Sequence, residues 1–281
     1  MKINPHLLRP FGRMMKFIDP KLYLMARWKM RAIMGNPMNQ LFLLPFLVRK
    51  NETVVDIGAN IGEISIMLAK LVWKHGSVQS FEPITKNYEQ MSININDANC
   101  SSVIHANKIG LSNSESKAIF TIPKERLTEA TLRPHHAQEW EDFNKKDDNY
   151  YTEECTITTL DNFIKEKGIQ NISFIKCDVE GNEFPVLQGG EHLLRSKNPP
   201  IILLEAYEKW TKDFGYHPRE MFQYLNKIAG YHVYWISPTG LQYISPESKE
   251  IPGIFYQWVD FICIVQQVHR SKINVDNYLA E

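Results

Sequence analysis

A glycine-rich loop with an acid just ahead of it is the first segment whose residue types and spacing suggest chemistry. It reads Asp56-x-Gly58-x-Asn60-x-Gly62, follows an apolar run, and leads into a helical pattern. The glycines permit a tight turn close to a ligand, and the helix start offers unpaired N–H groups. The spacing differs from the G-x-G-x-x-G pattern of a dinucleotide site. An acid here suits a ligand with a cationic amino acid group better than it suits a pyrophosphate.

A second carboxylate, Glu82, ends the next apolar run in Ser80-Phe81-Glu82-Pro83, twenty residues after Gly62. In nucleoside-binding α/β folds, a carboxylate at this position accepts hydrogen bonds from both ribose hydroxyls. Together the two features predict a nucleoside ligand that carries an amino acid group and no phosphate. That description fits S-adenosylmethionine.

Three further carboxylates, Asp178, Glu180 and Glu205, lie at or just after the ends of later apolar runs, where a doubly wound sheet has its crevice. Methyl transfer needs an aligned acceptor, and an alcohol acceptor must also lose its proton. Clustered acids would either raise one another's pKa values, giving a base near neutral pH, or bind a divalent cation such as Mg²⁺. The sequence leaves both open. Three histidines are alternative bases of lower rank: His135, His136 and His217.

The elements that must position these residues alternate from residue 51 onward between short apolar runs and amphipathic segments, which is typical of parallel βαβ units. The runs predict five strands, at Thr53–Ile57, Ser77–Phe81, Ser102–Ala106, Ile172–Cys177 and Ile201–Glu205. Helical spacing predicts helices at Glu63–Trp73, Thr85–Asn96 and Pro218–Ala229. Two late strands, Tyr231–Ser237 and Trp258–Gln266, are expected to form an antiparallel pair at one edge of the sheet.

One charged stretch, Pro123–Glu154, interrupts this alternation between two β-like segments, Lys117–Ile122 and Cys155–Thr159. It is longer than connections in compact domains usually are. Either a lid over the substrate or a surface excursion would explain it, and the sequence favours neither.

The composition is that of a soluble globular protein, with 281 residues of which 43% are hydrophobic and 23% charged, so disorder and fibre are excluded. The four cysteines form no CxxC pair, which argues against a disulfide framework or a zinc cluster. Reduced thiols in the cytoplasm are the simplest interpretation.

The zero net charge hides a basic segment, because residues 1–50 carry ten Lys and Arg against one acid, a charge of +9. No apolar run there approaches the roughly 20 residues that span a bilayer. Lys21–Met34 predicts a basic amphipathic helix. This helix would either contact an anionic membrane peripherally or cap the rest of the protein.

Several motifs, occurring in one order over roughly residues 51–236, resemble the FkbM family of methyltransferases. They are Val55–Gly62, Phe81–Pro83, Thr159–Asp161, Ile175–Glu183 with Val186–Gly190, and Pro200–Glu205. The resemblance implies a class I, Rossmann-like, doubly wound and mostly parallel seven-stranded sheet with an antiparallel last strand. It also implies S-adenosylmethionine-dependent O-methylation of a hydroxyl of a saccharide, glycan or related natural product.

Carried over by position, the resemblance assigns the cofactor loop to Asp56, Gly58, Asn60 and Gly62, the ribose to Glu82, and an adenine contact to Asn107. The expected organisation is a basic helical extension (1–50), a methyltransferase domain (51–267) and a C-terminal tail (268–281). The oligomeric state stays open.

Two other functions remain alternatives: an NAD(P)-dependent sugar oxidoreductase, and a non-catalytic nucleoside-binding protein of the same fold. The glycine spacing disfavours the first. Nucleic-acid binding is not expected, because the methyltransferase region is acidic overall and contains no recognised base-reading motif.

The position of Glu180 yields a first prediction. Glu180→Gln should leave cofactor binding intact and abolish turnover, because the amide cannot take a proton from the acceptor. Calorimetry and a methyl-transfer assay on the same preparation would test this, and full activity would remove Glu180 from the mechanism.

Overall fold

The computed structural model describes residues 40–124, 150–237, 240–247, 259–273 and 275. The predicted helix Lys21–Met34, residues 125–149 of the predicted insertion with His135 and His136, and residues 276–281 of the predicted tail lie outside this part of the chain.

The strands of the described residues form one large and one small sheet. In chain order they are β1 (Thr53–Ile57), β2 (Ser77–Phe81), β3 (Ile104–Asn107), β4 (Gly110–Leu111), β5 (Ser116–Pro123), β6 (Tyr150–Thr158), β7 (Ile172–Cys177), β8 (Ile201–Ala206), β9 (His232–Ser237), β10 (Gly240–Ile244) and β11 (Val259–Ile264). The large sheet has the order β10-β9-β11-β8-β7-β1-β2-β3. Strands β3, β2, β1, β7 and β8 are parallel neighbours.

The antiparallel part of this sheet confirms one expectation and corrects another. The last strand, β11, runs antiparallel to both β8 and β9, as expected for a class I methyltransferase sheet. The sheet has eight strands rather than seven, because Gly240–Ile244 folds back on β9 as a hairpin. The predicted antiparallel pairing of the two late strands is confirmed, but their place at the edge is wrong, because β10 takes that edge.

Helices cover both faces of the large sheet. They are α1 (Gln40–Leu47), α2 (Glu63–Val72), α3 (Thr85–Asp97), α4 (Leu160–Lys167), α5 (Glu183–Gln188), α6 (Glu191–Leu194), α7 (Glu208–Asp213), α8 (Pro218–Ala229) and α9 (Gln266–His269). Successive strand residues face opposite sides, so Val54 packs in one core with Leu68 while Val55 packs in the other with Leu225. Burial on both faces explains the continuous apolar runs in the sequence.

The three predicted helices are confirmed to within one residue at each end. Both flanks of the domain add to the same core, with Leu44 and Leu47 from α1 and Ile273 and Val275 from the C-terminal side. In the described ranges, no helix is long and apolar enough to cross a membrane. The four cysteines are buried and unpaired.

The small sheet has the order β4-β6-β5 and contains the described ends of the predicted insertion. Strands β5 and β6 form an antiparallel ribbon that pairs Pro123 with Tyr150, so the β-like segments extend further than the sequence predicted. Phe120, Ile122 and Ile157 of this sheet pack against Ile84, which follows β2. The ribbon is thereby attached beside the ends of the parallel strands.

A buried histidine joins the C-terminal segment to the start of β8. His269 Nδ1 accepts the Val265 N–H at 2.9 Å, and Nε2 lies 2.8 Å from the Pro199 carbonyl oxygen. Burial lowers the pKa of His269 below its ordinary 6.5. The neutral ring is therefore the form that stabilises the folded chain.

This histidine should make stability depend on pH. The unfolded chain takes up its proton near pH 6.5 and the folded chain only at lower pH, so the free energy of unfolding should fall through that window as pH drops. His269→Gln should cost roughly 1–3 kcal/mol at neutral pH, from disturbed buried hydrogen bonds. In urea unfolding, the gap between wild type and variant should shrink from about pH 7.5 to about pH 5. A gap that stays constant would show that His269 does not titrate on unfolding.

Candidate active site

A cavity of about 520 Å³ opens at the carboxyl ends of β1, β2, β7 and β8, which is where doubly wound sheets bind ligands. Six of the residues selected from the sequence line it: Gly58, Asn60, Glu82, Asp178, Glu180 and Glu205. Three others, Asp56, Gly62 and Asn107, are not among its lining residues.

The loop after β1 is held close to the loop after β7. Gly58 has φ 74°, and a Cβ built on it would lie 1.8 Å from the Asp178 carbonyl oxygen, so a larger residue cannot fit without moving one loop. The N–H groups of Gly58 and Ala59 both donate to the Phe81 carbonyl, at 3.1 and 2.9 Å. Asn60, with φ 51°, lines the cavity, and its buried Oδ1 has no hydrogen-bond partner. An unpartnered acceptor on a tight loop suits a ligand that brings a donor.

Gly62 is required by the fold and lies behind the cavity. It precedes α2 with φ 84°, and a Cβ there would lie 2.8 Å from Met91 Cγ. Its contribution is to let the chain turn from the loop into the helix beside α3.

Asp56 is fully buried and does not face the ligand cavity, which corrects the expectation that it meets the ligand directly. Its Oδ2 accepts a 2.6 Å hydrogen bond from Ser65 of α2, whose hydroxyl in turn lies 2.7 Å from that of Ser80. The Asp56 side chain therefore points toward α2 and not into the cavity. Burial raises the pKa of Asp56, against the opposing effect of Lys176.

Glu82 is the carboxylate that reaches the cavity beside the loop. Its Oε2 accepts the Asn60 N–H at 2.9 Å and its Oε1 accepts the Ile84 N–H at 3.0 Å. Burial raises the pKa of Glu82 to about 7, and these two hydrogen bonds oppose the rise. The Asn87 amide also donates to Oε1, at 3.5 Å, so Oε2 is the oxygen that keeps a second lone pair for a ligand hydroxyl.

Lys176 is a buried cation that joins the two loops, and the sequence reasoning missed it. Its Nζ lies 3.0 Å from Asp178 Oδ2 and 3.8 Å from Asp56 Oδ1, and it donates to the Gly58 carbonyl at 3.3 Å. Burial alone would lower the pKa of Lys176, but the charges of Asp178 and Asp56 outweigh it and raise the pKa. The same cation lowers the pKa of Asp178 despite its burial.

Glu205 and Asp178 form a hydrogen-bonded carboxyl pair. Burial, followed by the charge of Asp178, raises the pKa of Glu205 to about 10, so at neutral pH Glu205 carries the proton and Asp178 is ionised. Asp260 lies opposite Glu205 in the β8–β11 register, and burial raises its pKa to about 7. Among the residues that the structure describes, no three His, Cys, Asp or Glu are arranged to hold a metal ion. The Mg²⁺ alternative therefore finds no support.

Glu180 lies on a strained turn that its neighbours hold in place. Its φ is 54°, and Gly181 follows with φ 98°. Glu183 Oε1 accepts the N–H groups of Val179 at 2.9 Å and Gly181 at 3.2 Å, and the Tyr216 hydroxyl donates to the Gly181 carbonyl at 2.8 Å. Burial raises the pKa of Glu183 to about 7. Glu183 stood inside the motif Glu-Gly-Asn-Glu and could have been selected as a turn-stabilising acid.

An apolar wall closes the cavity next to Glu82, and Asn107 is not part of it. Ile109 and Leu111 after β3, with Phe120 from the small sheet, form this wall. The Asn107 amide instead donates to the carbonyls of Ser80 at 3.2 Å and His105 at 2.9 Å. The adenine contact expected for Asn107 is therefore not supported.

His217 is a helix cap outside the cavity. Its Nδ1 accepts the Arg219 N–H at 3.1 Å, and Glu220 completes a capping box at the start of α8. The structure gives no support to its role as an alternative base.

The Lys176 network leads to a stability prediction. Lys176→Met leaves Asp56 and Asp178 without their shared cation, so the free energy of unfolding should fall by about 3–5 kcal/mol. Lys117→Met, at the exposed pair with Glu154, is the matched control and should leave the urea midpoint nearly unchanged. Equal midpoints for both variants would contradict the ion network.

The family model described as the methyltransferase FkbM domain matches residues 56–233. Methyltransferase sdnD of Sordaria araneosa is 27% identical in an alignment 178 residues long, which covers 56% of this chain and 67% of that protein.

Two solved structures are similar at lower identity. The FkbM methyltransferase from Methylobacillus flagellatus KT aligns at a TM-score of 0.47 and 16% identity, covering 80% of this chain and 51% of that chain, so this chain spans about half its length. An O-methyltransferase from Bacillus cereus in complex with SAH aligns at a TM-score of 0.42 and 11% identity, over 88% of this chain and 90% of that chain. By the family match over residues 56–233, the chain belongs to the FkbM methyltransferase family.

Proposed function

We propose that the protein is an S-adenosylmethionine-dependent O-methyltransferase acting on a hydroxyl of a saccharide, glycan or related natural product. The observation that carries the proposal is a single cavity with Glu82 beside an apolar wall and the hydrogen-bonded carboxyl pair of Asp178 and Glu205 at other strand ends. Glu82 and the apolar wall suit a nucleoside, and the carboxyl pair suits an acceptor that must lose a proton.

The residues of the cavity around Glu82 fit the cofactor. Gly58 and Asn60 would hold its amino acid portion, because the loop is closely packed and the buried Asn60 Oδ1 lacks a donor. Glu82 would accept a ribose hydroxyl, and Phe120 would pack against the base. When bound, the cofactor supplies a methyl group on a sulfonium ion.

Asp178 and Glu205, the carboxyl pair, would act on the acceptor hydroxyl. Asp178 is ionised and would receive the hydroxyl proton of the acceptor, while the protonated Glu205 fixes its orientation through their hydrogen bond. Because the pKa of Asp178 is lowered, it is a weak base, and alignment of the acceptor would supply most of the acceleration. Glu180, on the adjacent turn, is the alternative proton acceptor, and the Glu180→Gln variant distinguishes it from Asp178.

Calorimetric titration with S-adenosylhomocysteine tests the cofactor. Wild type should bind it at micromolar concentration and should not bind NADH. Glu82→Gln should weaken binding at least about tenfold, or about 1.4 kcal/mol, because the amide nitrogen cannot accept a hydrogen bond from a ligand hydroxyl. Glu166→Gln, an exposed site on α4, is the matched control and should bind as wild type does.

Binding to NADH with no response to S-adenosylhomocysteine would replace the proposal with an oxidoreductase. If the nucleoside binds, labelled methyl donor and a panel of methyl glycosides would test the acceptor class. Tight cofactor binding without transfer to any hydroxyl would instead favour the non-catalytic alternative.

A further inference from the structure

A basic surface with an exposed tryptophan lies at the amino-terminal ends of the parallel strands, opposite the cavity. We define the Trp73 surface as Arg49, Lys50, Trp73, Lys74 and Arg270, all of which are exposed. It lies just before the amino-terminal ends of β1 and β2.

Direct contacts bring its three chain segments together. The Arg49 guanidinium donates to the Ser271 carbonyl, and Lys50 Nζ lies 4.4 Å from the centre of the Trp73 ring. The Asn51 N–H donates to the Val72 carbonyl at 2.7 Å. Residues 49–52, 72–77 and 270–272 therefore form one continuous surface.

Trp73 has an unusual backbone conformation for its size. It ends α2 with φ 63° and ψ −177°, a region that essentially only glycine adopts, and 49% of its surface is exposed. The helix ends at Gly168 and Gly230 are instead ordinary left-handed caps. Half of this strained tryptophan stays in solvent although Lys50 packs on its ring, which points to a use at the surface.

The charge around the ring is strongly positive. Segments 49–52, 73–77 and 270–273 contain five Lys and Arg and one acid, Glu52, which is itself paired with Lys272. Basic side chains around a tryptophan are the combination that anionic membrane interfaces attract.

We propose that the Trp73 surface docks the protein on an anionic lipid bilayer, with the indole at the headgroup level and the basic side chains against the lipid phosphates. The docked face consists of Arg49, Lys50, Trp73, Lys74 and Arg270. Docking through the Trp73 surface leaves the cavity open to the aqueous side, because the surface and the cavity lie at opposite ends of the parallel strands. The proposal does not depend on methyl transfer.

Co-sedimentation of the full chain with vesicles tests it. Wild type should bind phosphatidylcholine vesicles containing a third of phosphatidylserine, should not bind pure phosphatidylcholine, and should dissociate as salt rises. Trp73→Asn should weaken binding at least about fivefold, because it removes the indole. Residue 73 is half exposed, so this variant should unfold at the same temperature as wild type, which separates lost binding from lost folding.

A matched aromatic control and a charge variant complete the test. Tyr243→Thr removes an aromatic side chain of nearly equal exposure, 48%, from the edge strand β10, and should bind as wild type does. Lys50→Glu with Lys74→Glu should abolish binding. Absent wild-type binding, equal binding to neutral vesicles, or unchanged binding of Trp73→Asn would overturn the proposal. Binding of heparin that depends on the lysines but not on Trp73 would identify a polyanion site instead.

Discussion

The buried ammonium group of Lys176 is the interaction on which the candidate site depends. It lies between the carboxylates of Asp56 and Asp178 and also donates to the Gly58 carbonyl. One charge thereby fixes the end of β1, the loop that follows it and the end of β7. Because the cost of burying these ions is recovered only when all are present, the loop and the carboxyl pair behave as one unit.

Much of the fold could be predicted from the sequence, because parallel strands buried on both faces leave continuous apolar runs. β1, β2 and β7 begin and end as predicted. Residues directly after such strands, such as Gly58, Glu82 and Asp178, line the cavity because the strand ends converge there. Position along the chain was enough to place them.

The remaining features depend on side-chain direction and on pairing between distant segments, which one sequence does not show. Asp56 and Ile57 are adjacent in the sequence, which does not show which of the two side chains faces α2. The pairing of β1 with its neighbouring strands determines that Asp56 does. Lys176 lies inside an apolar strand, where a charge is intelligible only once its partners are known. Phe120 reaches the cavity because β5 pairs with β6, some thirty residues away. No local pattern marks that pairing.

The chain order of the strands has a consequence for synthesis. β1 and its loop are translated early, but β1 pairs with β7, which begins at Ile172, and the cavity also needs Glu205 at the end of β8. Until the ribosome has passed this point, the nascent chain exposes the glycine loop without Lys176 or the opposite wall of the cavity. A ligand of the cavity therefore cannot stabilise the nascent chain, and its apolar strands stay exposed to aggregation until most of the chain has emerged.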